Sequence, residues 1–267
     1  MFYYDYHVHT NFSLDSDAPM EDMIKKAIEL NLKEIMFTDH VDYDYPDEDT
    51  DFFIDYDQYL LTFNEIKNKY SNKIDIKLGV EMGLQPHVAK DINDLIDKYD
   101  FDFIIGSTHA ADKLDLYNGD FFKNKKQNEA YRRYFENVLE NVSTLEDFDV
   151  CGHLDFIIRY GDFREKKLNY NDFSDIVDEI LKTLIKKDKG LEINTSGIVY
   201  GFNQTHPQLP ILKRYKELGG KILTIGSDAH SPDNICAYFD KAYAMAKQVG
   251  FNEITTFKNR KPNFIKI

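Results

Sequence analysis

Short apolar runs alternate along this chain with longer stretches whose apolar residues recur at helical spacing. The runs are Tyr3–His9, Glu34–Thr38, Ile76–Glu81, Phe103–Thr108, Val150–His153, Leu191–Asn194 and Ile222–Ser227. They read as strands, and the stretches between them as amphipathic helices. One helix starts near Pro19, with Ser16 or Asp17 placed to cap it, and presents Met23, Ile24, Ala27 and Ile28 on one face. A second presents Phe173, Ile176, Val177, Ile180, Leu181, Leu184 and Ile185. A third carries Leu209, Leu212, Tyr215 and Leu218 and stops at Gly219-Gly220. Strand–helix alternation of this kind predicts a parallel α/β architecture. Seven such units without a Gly/Ser-rich linker predict one closed or nearly closed barrel. Three connections are long: Val41–Tyr56, Ala110–Lys125 and Arg159–Tyr170. At the C-terminal rim of a barrel such loops shape the substrate pocket. The first is acidic and aromatic, whereas the third holds several basic residues.

Composition narrows the picture. A chain of 267 residues with 42% hydrophobic content can bury a core of one barrel domain, expected over residues 1–267. No stretch approaches eighteen consecutive apolar positions, so no membrane span is expected, and the N-terminus lacks the pattern of a cleaved signal peptide. Two cysteines, Cys151 and Cys236, lie far apart without metal-type spacing, which predicts reduced thiols in a cytoplasmic protein. A formal charge of −14 argues against nucleic acid as the main partner, since phosphate backbones need clustered Lys and Arg. Bound metal ions would still make a local positive site able to take a phosphate.

The chemistry sits where the apolar runs end. Those ends read His7-Val8-His9, Asp39-His40, Glu81, Thr108-His109, Gly152-His153, Asn194-Thr195-Ser196 and Asp228-Ala229-His230. On a strand, residues i and i+2 share a face, so His7 and His9 point the same way. Any one of these histidines alone reads as a hydrogen-bonded rim residue. Six of the eight histidines at strand exits, joined by Glu81 and Asp228, point instead to a polynuclear metal site. Imidazole with carboxylate suits zinc, manganese or iron, and a structural zinc would more typically use cysteine. His87 and His206, beside prolines, read as surface or capping histidines. Asp39 and Asp155 are either loop caps or carboxylates that fix an imidazole tautomer.

The motifs Tyr6-His7-Val8-His9-Thr10, Thr38-Asp39-His40, Gly79-Val80-Glu81, Gly106-Ser107-Thr108-His109, Gly152-His153-Leu154-Asp155 and Gly226-Ser227-Asp228-Ala229-His230 resemble the polymerase-and-histidinol-phosphatase (PHP) family. The stretch Leu191–Gly197 and the closing Arg260-Lys261-Pro262 resemble its monofunctional histidinol-phosphate phosphatases. That resemblance implies a distorted (β/α)7 TIM-like barrel with three divalent metal ions at its C-terminal rim. It assigns His7, His9, Glu81 and Asp228 to the first ion, and Glu81 as a bridge with His109 and His153 to the second. The third falls to His40, His230 and Asp15, where some relatives carry histidine. The alternative for Asp15 is a helix cap beside Ser16 and Asp17.

The activity implied is hydrolysis of L-histidinol phosphate to L-histidinol and phosphate, with Glu81, Asp228 and Arg159 in catalytic roles. Three divalent ions bring about +6, and Glu81, Asp15 and Asp228 about −3, which leaves room for a phosphate-monoester dianion and a hydroxide. Arg159, on the loop after His153, is placed to hold phosphate, with Arg164 a second candidate and a solvated rim arginine the alternative for each. Asn194 and Ser196 are further substrate-binding candidates. Ile198 and Val199 stand where relatives often have a basic residue. Asp42 and Asp44, in the acidic-aromatic first loop, are expected to meet the ammonium and imidazole of the leaving group, unless the loop is plain surface. Rival readings are a related phosphatase acting on a nucleotide or phosphotyrosine, and a non-catalytic metal-binding module.

Overall fold

Seven parallel strands form the frame in a computed structural model that describes residues 3–47 and 52–267. They are β1 (Tyr4–Val8), β2 (Glu34–Phe37), β3 (Asp75–Gly83), β4 (Phe103–Ser107), β5 (Val150–Cys151), β6 (Gly190–Asn194) and β7 (Leu223–Gly226). Each pairs with the next in sequence order, and β7 returns to β1 through Asp228 N donating to His7 O at 2.8 Å and His9 N to Ala229 O at 3.0 Å. The result is a nearly closed α/β barrel, the arrangement that the strand–helix alternation predicts. Beyond β2, His40–Val41 pairs in parallel with Glu81–Met82, which brings the second strand exit against the third.

Helices α1 (Met20–Glu29), α2 (Tyr56–Tyr70), α3 (Ala89–Lys98), α4 (Gln127–Thr144), α5 (Ser174–Lys186), α6 (Leu209–Glu217) and α7 (Phe239–Gln248) follow the strands in turn. Their apolar faces join strand residues such as Ile35, Phe37, Ile104 and Leu191 in the main core. Met36, Phe103, Ile105 and Val150, which alternate with those positions, make a second cluster with Tyr6 inside the barrel. Among the described residues no helix is long and apolar enough to cross a membrane.

One local expectation differs from the structure. Neither Ser16 nor Asp17 caps α1, whose N-cap is Pro19 without a side-chain bond. Ser16 Oγ donates instead to His230 O at 3.0 Å, so tertiary contact overrides the local cap. The closing Arg260-Lys261-Pro262 lies in an antiparallel hairpin, β8 (Glu253–Lys258) and β9 (Lys261–Lys266). Its two-residue turn puts Asn259 and Arg260 at positive φ, as the twist of a tight hairpin requires. Phe257 of this hairpin completes the inner cluster.

Candidate metal centre

Strand ends converge at the C-terminal rim on one carboxylate. Glu81, fully buried on β3, turns Oε2 toward His7 Nε2 at 3.0 Å, His40 Nδ1 at 3.2 Å and His9 Nε2 at 3.4 Å. Its Oε1 faces His153 Nε2 at 2.8 Å and His109 Nε2 at 3.3 Å, and accepts from Ser107 Oγ at 2.6 Å. Asp228 Oδ1 adds a fourth group beside His7 and His9, at 3.8 and 3.5 Å. Farther out, Asp15 Oδ2 lies 3.1 Å from His230 Nε2 and 3.6 Å from His40 Nε2. The ring of His9 stacks between those of His40 and His230, with centroids 4.3 and 4.2 Å away. All nine residues expected at the metals therefore meet in one place, and among the described residues the donor atoms gather in four overlapping groups: His7-His9-Glu81, Glu81-His109-His153, His9-His40-His230 and His40-Asp42-His109.

Buried donor atoms test whether the set fits metal ions. His7 Nε2, His9 Nε2, His40 Nδ1, His153 Nδ1 and Glu81 Oε2 are buried without a hydrogen-bond partner. Buried polar atoms are rarely left so, and coordination would satisfy those at the focus. Burial, with the neighbouring imidazoles of His230 and His40, pushes His9 down to about 3, leaving a neutral ring with a free lone pair. Burial alone would raise the Glu81 carboxyl, but His7, His40 and His109 hold it well below the usual range, so it is ionised. Imidazoles grouped around a shared carboxylate suit zinc, manganese or iron, which would take the place of the ring protons. The residues fit.

Partners behind the ligands fix their orientation. His7 Nδ1 donates to Glu192 Oε1 at 2.6 Å, His109 Nδ1 to Asp42 Oδ1 at 2.9 Å, and His230 Nδ1 to Asp228 O at 3.0 Å. His9 Nδ1 donates to Ser13 Oγ at 3.1 Å, and that hydroxyl donates in turn to Asp39 Oδ1 at 2.9 Å. Each proton parked on Nδ1 leaves Nε2 for a metal. Gly83 makes one such contact possible, since a Cβ there would stand 1.8 Å from Asp42 Oδ1. Gly226 does the same at the first ligand, where a Cβ would lie 2.3 Å from both Glu192 Oε1 and His7 Cβ.

A cavity of about 460 Å³ opens over the centre. Its walls include Leu14, Asp15, Tyr45, Asp47, Phe52, Asp115, Tyr117, Phe156, Arg159, Tyr160 and Tyr200, with His40, Glu81, His109, His153, Asp228 and His230 below. Arg159, from the turn Phe156–Arg159, stacks its guanidinium on Phe156 and Tyr200 at 4.6 and 4.5 Å from the ring centroids. Its Nη2 reaches Ser196 Oγ and lies 3.3 Å from Asp228 Oδ2.

Several residues stand elsewhere than expected. Asp42 is buried against His109 and His40 instead of facing the cavity, because Gly83 admits it behind the ligands. Asp44 points away, pairing with His87 Nε2 at 2.7 Å on the surface. Arg164 is exposed and does not line the cavity. Asn194 and Ser196 lie behind Asp228, with Ser196 Oγ 2.9 Å and Asn194 Nδ2 3.4 Å from its Oδ2. His206, far from a surface histidine, is fully buried and bonds Asp155 through Nδ1 at 2.6 Å. Glu192 also escaped the sequence reading. Its alternation with apolar Leu191 and Ile193 on a buried strand is the signal that could have found it.

Residues 5–196 match the PHP domain. The chain belongs to the PHP-domain family. The PHP chain is 35% identical over 259 residues to a histidinol-phosphatase of Lactococcus lactis subsp. lactis, covering 96% of this chain and 95% of the relative. It is also 35% identical over 251 residues to a probable histidinol-phosphatase of Clostridium acetobutylicum, covering 94% and 95%. A crystal structure of the histidinol phosphate phosphatase from Lactococcus lactis, complexed with zinc, L-histidinol and phosphate, superposes with a TM-score of 0.92 at 34% identity. That match covers 97% of this PHP chain and 98% of the crystallised one.

Proposed function

We propose that this chain is a metal-dependent phosphomonoesterase that hydrolyses L-histidinol phosphate to L-histidinol and phosphate in histidine biosynthesis. The observation that carries the reading is the pairing of a carboxylate-bridged histidine centre at the floor of one cavity with Arg159 on its wall, in a chain matching its zinc-, histidinol- and phosphate-bound relative over 97% of its length. Three divalent ions, zinc, manganese or iron, are assigned. His7, His9, Glu81 and Asp228 hold the first, Glu81, His109 and His153 the second, and His40, His230 and Asp15 the third. A cytoplasmic location fits such a biosynthetic enzyme.

The chemistry supplied by bound divalent ions is activation of water near neutral pH and neutralisation of phosphoryl charge. Arg159 grips the phosphoryl oxygens, its position fixed by two aromatic faces and by Asp228. Glu81 keeps the ligand groups together through both its oxygens. Tyr45, Asp47, Asp115 and Tyr117 line the same cavity and offer aromatic faces and negative charge to the ammonium and imidazole of the leaving group.

The test is phosphate release by metal-replete protein from L-histidinol phosphate, nucleotides, phosphotyrosine and p-nitrophenyl phosphate, with bound metal measured alongside. L-Histidinol phosphate should give the highest kcat/KM. Preference for a nucleotide or phosphotyrosine would transfer the activity to that ester, and full metal with no release from any would leave a binding module.

A further inference from the structure

His206 enters the site from a loop that ends no barrel strand. Its backbone is tied to β6 by Asn194 N donating to His206 O at 2.7 Å and His206 N to Asn194 O at 2.8 Å. Gly197 lets the loop approach this closely, because a Cβ there would lie 2.4 Å from Gln204 O and 3.0 Å from His206 Nε2. The ring is fully buried between two charged groups. Asp155 stands on one side, its Oδ2 accepting from Gln208 N at 2.9 Å and its Oδ1 facing His206 Nδ1 at 2.6 Å. Arg159 stands on the other, with Nε 3.3 Å from His206 Nε2.

Proton placement follows from the partners. A carboxylate only accepts and a guanidinium only donates, so Nδ1 carries the hydrogen and Nε2 presents its lone pair. A second ring proton would set two donors against each other at Arg159. Burial, with the guanidinium alongside, also lowers the imidazole pKa and keeps the ring neutral despite Asp155.

We infer that His206 is a positioning residue: held by Asp155 as the Nδ1–H tautomer, it accepts from Arg159 Nε and so aims the guanidinium at the phosphoryl group. This rests on the reading of the cavity as a phosphomonoester site gripped by Arg159. Stacking on Phe156 and Tyr200 fixes the guanidinium plane, Ser196 and Asp228 hold Nη2, and the bond from Nε to His206 sets the other end of the group and with it the direction of the fork. Among the described residues the His206 ring makes its hydrogen bonds to Asp155 and Arg159 and to no ligand of the metal centre, so its effect passes through Arg159.

Two substitutions split the ring's duties. His206→Gln keeps an acceptor near the Nε2 position and gives up the Nδ1 donor, whereas His206→Asn keeps a donor toward Asp155 and gives up the acceptor. The dissociation constant of inorganic phosphate, measured by calorimetry on metal-replete protein with metal content determined in parallel, should rise about tenfold in His206→Asn and less in His206→Gln. Metal content should be unchanged in both. In an Arg159→Ala background His206→Asn should add nothing further. A ¹⁵N-histidine spectrum of the unsubstituted protein, with the His206 signal assigned through the nearby rings of Phe156 and Phe202, should show a protonated Nδ1 and a bare Nε2; this needs no variant. A loss that persists without Arg159, a worse His206→Gln than His206→Asn, or a protonated Nε2 would each overturn the assignment. If the unsubstituted protein neither binds phosphate nor releases it from any ester, the phosphomonoester reading falls, and this inference with it. Normal binding that His206→Asn leaves unchanged overturns the role of His206 alone.

Discussion

Glu81 has the largest effect expected of any single side chain, because both of its oxygens face ligand nitrogens. Glu81→Gln keeps size and hydrogen bonding but removes the charge that balances the ions. Bound metal should fall by at least one equivalent and turnover by on the order of a hundredfold or more, with the circular dichroism of the barrel unchanged. Full metal with normal kinetics would remove Glu81 from the site. Asp42 and Asp47 separate two duties that sequence proximity runs together. Asp42, behind His109, should matter to any substrate: Asp42→Asn is expected to cost roughly tenfold to a hundredfold in metal affinity and to slow all esters alike. Asp47, on the cavity wall, should matter mainly to a cationic leaving group. Asp47→Asn is expected to raise KM for L-histidinol phosphate several-fold more than for p-nitrophenyl phosphate. Equal losses on both esters would mean that Asp47 supports the site as a whole.

Strands β1 to β7 deliver chemistry at one end and stability at the other. Where the hairpin β8–β9 closes the inner cluster, Tyr6 bonds Glu34 at the start of β2 and accepts from Phe257 N at 2.7 Å. Burial, with Asp75 nearby adding to it, pushes Glu34 up to about 7 despite the bond from Tyr6. An acid whose folded pKa is raised contributes its stability fully below the unfolded value near 4.5 and loses it as pH climbs through about 7. The loss is about 1–3 kcal/mol, at 1.36 kcal/mol per pK unit and with partial exposure discounted. Glu34→Gln keeps an acceptor for Tyr6 and cannot ionise. Its Tm should therefore gain on the wild type between pH 5 and pH 8. A difference independent of pH would show that Glu34 stays ionised in the fold.

At the scale of the whole molecule, the packed cores are independent of the metal centre. Chelation should leave the barrel folded but less stable, since ions bind the assembled ligand set and not the unfolded chain. At a hundredfold excess over Kd, each ion stabilises by about 2.7 kcal/mol, or roughly 5–10 °C in Tm. Thermal unfolding with and without chelator measures this, and re-addition of zinc should restore the difference. An unchanged Tm would mean that the buried donors do not hold ions. The net charge of −14 makes the metal centre and Arg159 the natural place for a phosphate on an otherwise repulsive surface.

The sequence by itself determined the barrel and most of its rim. Buried parallel strands must be apolar, so polar residues at their ends stand out, and chain order alone places His7, His9, Glu81, His109, His153 and Asp228 at equivalent heights. What lies behind those residues depends on which loop packs where. His206 and Asp155 are 51 positions apart, and His7 and Glu192 are 185 apart. Period and propensity report a residue's own element, not its partner across the barrel. Asp42 and Asp47 share one acidic segment, and only the close approach at Gly83 draws the first beneath the ligands while the second stays on the cavity wall. Local pattern decided which residues reach the rim; tertiary packing decided which of them face the substrate, because facing is a property of neighbours that the chain brings together from afar.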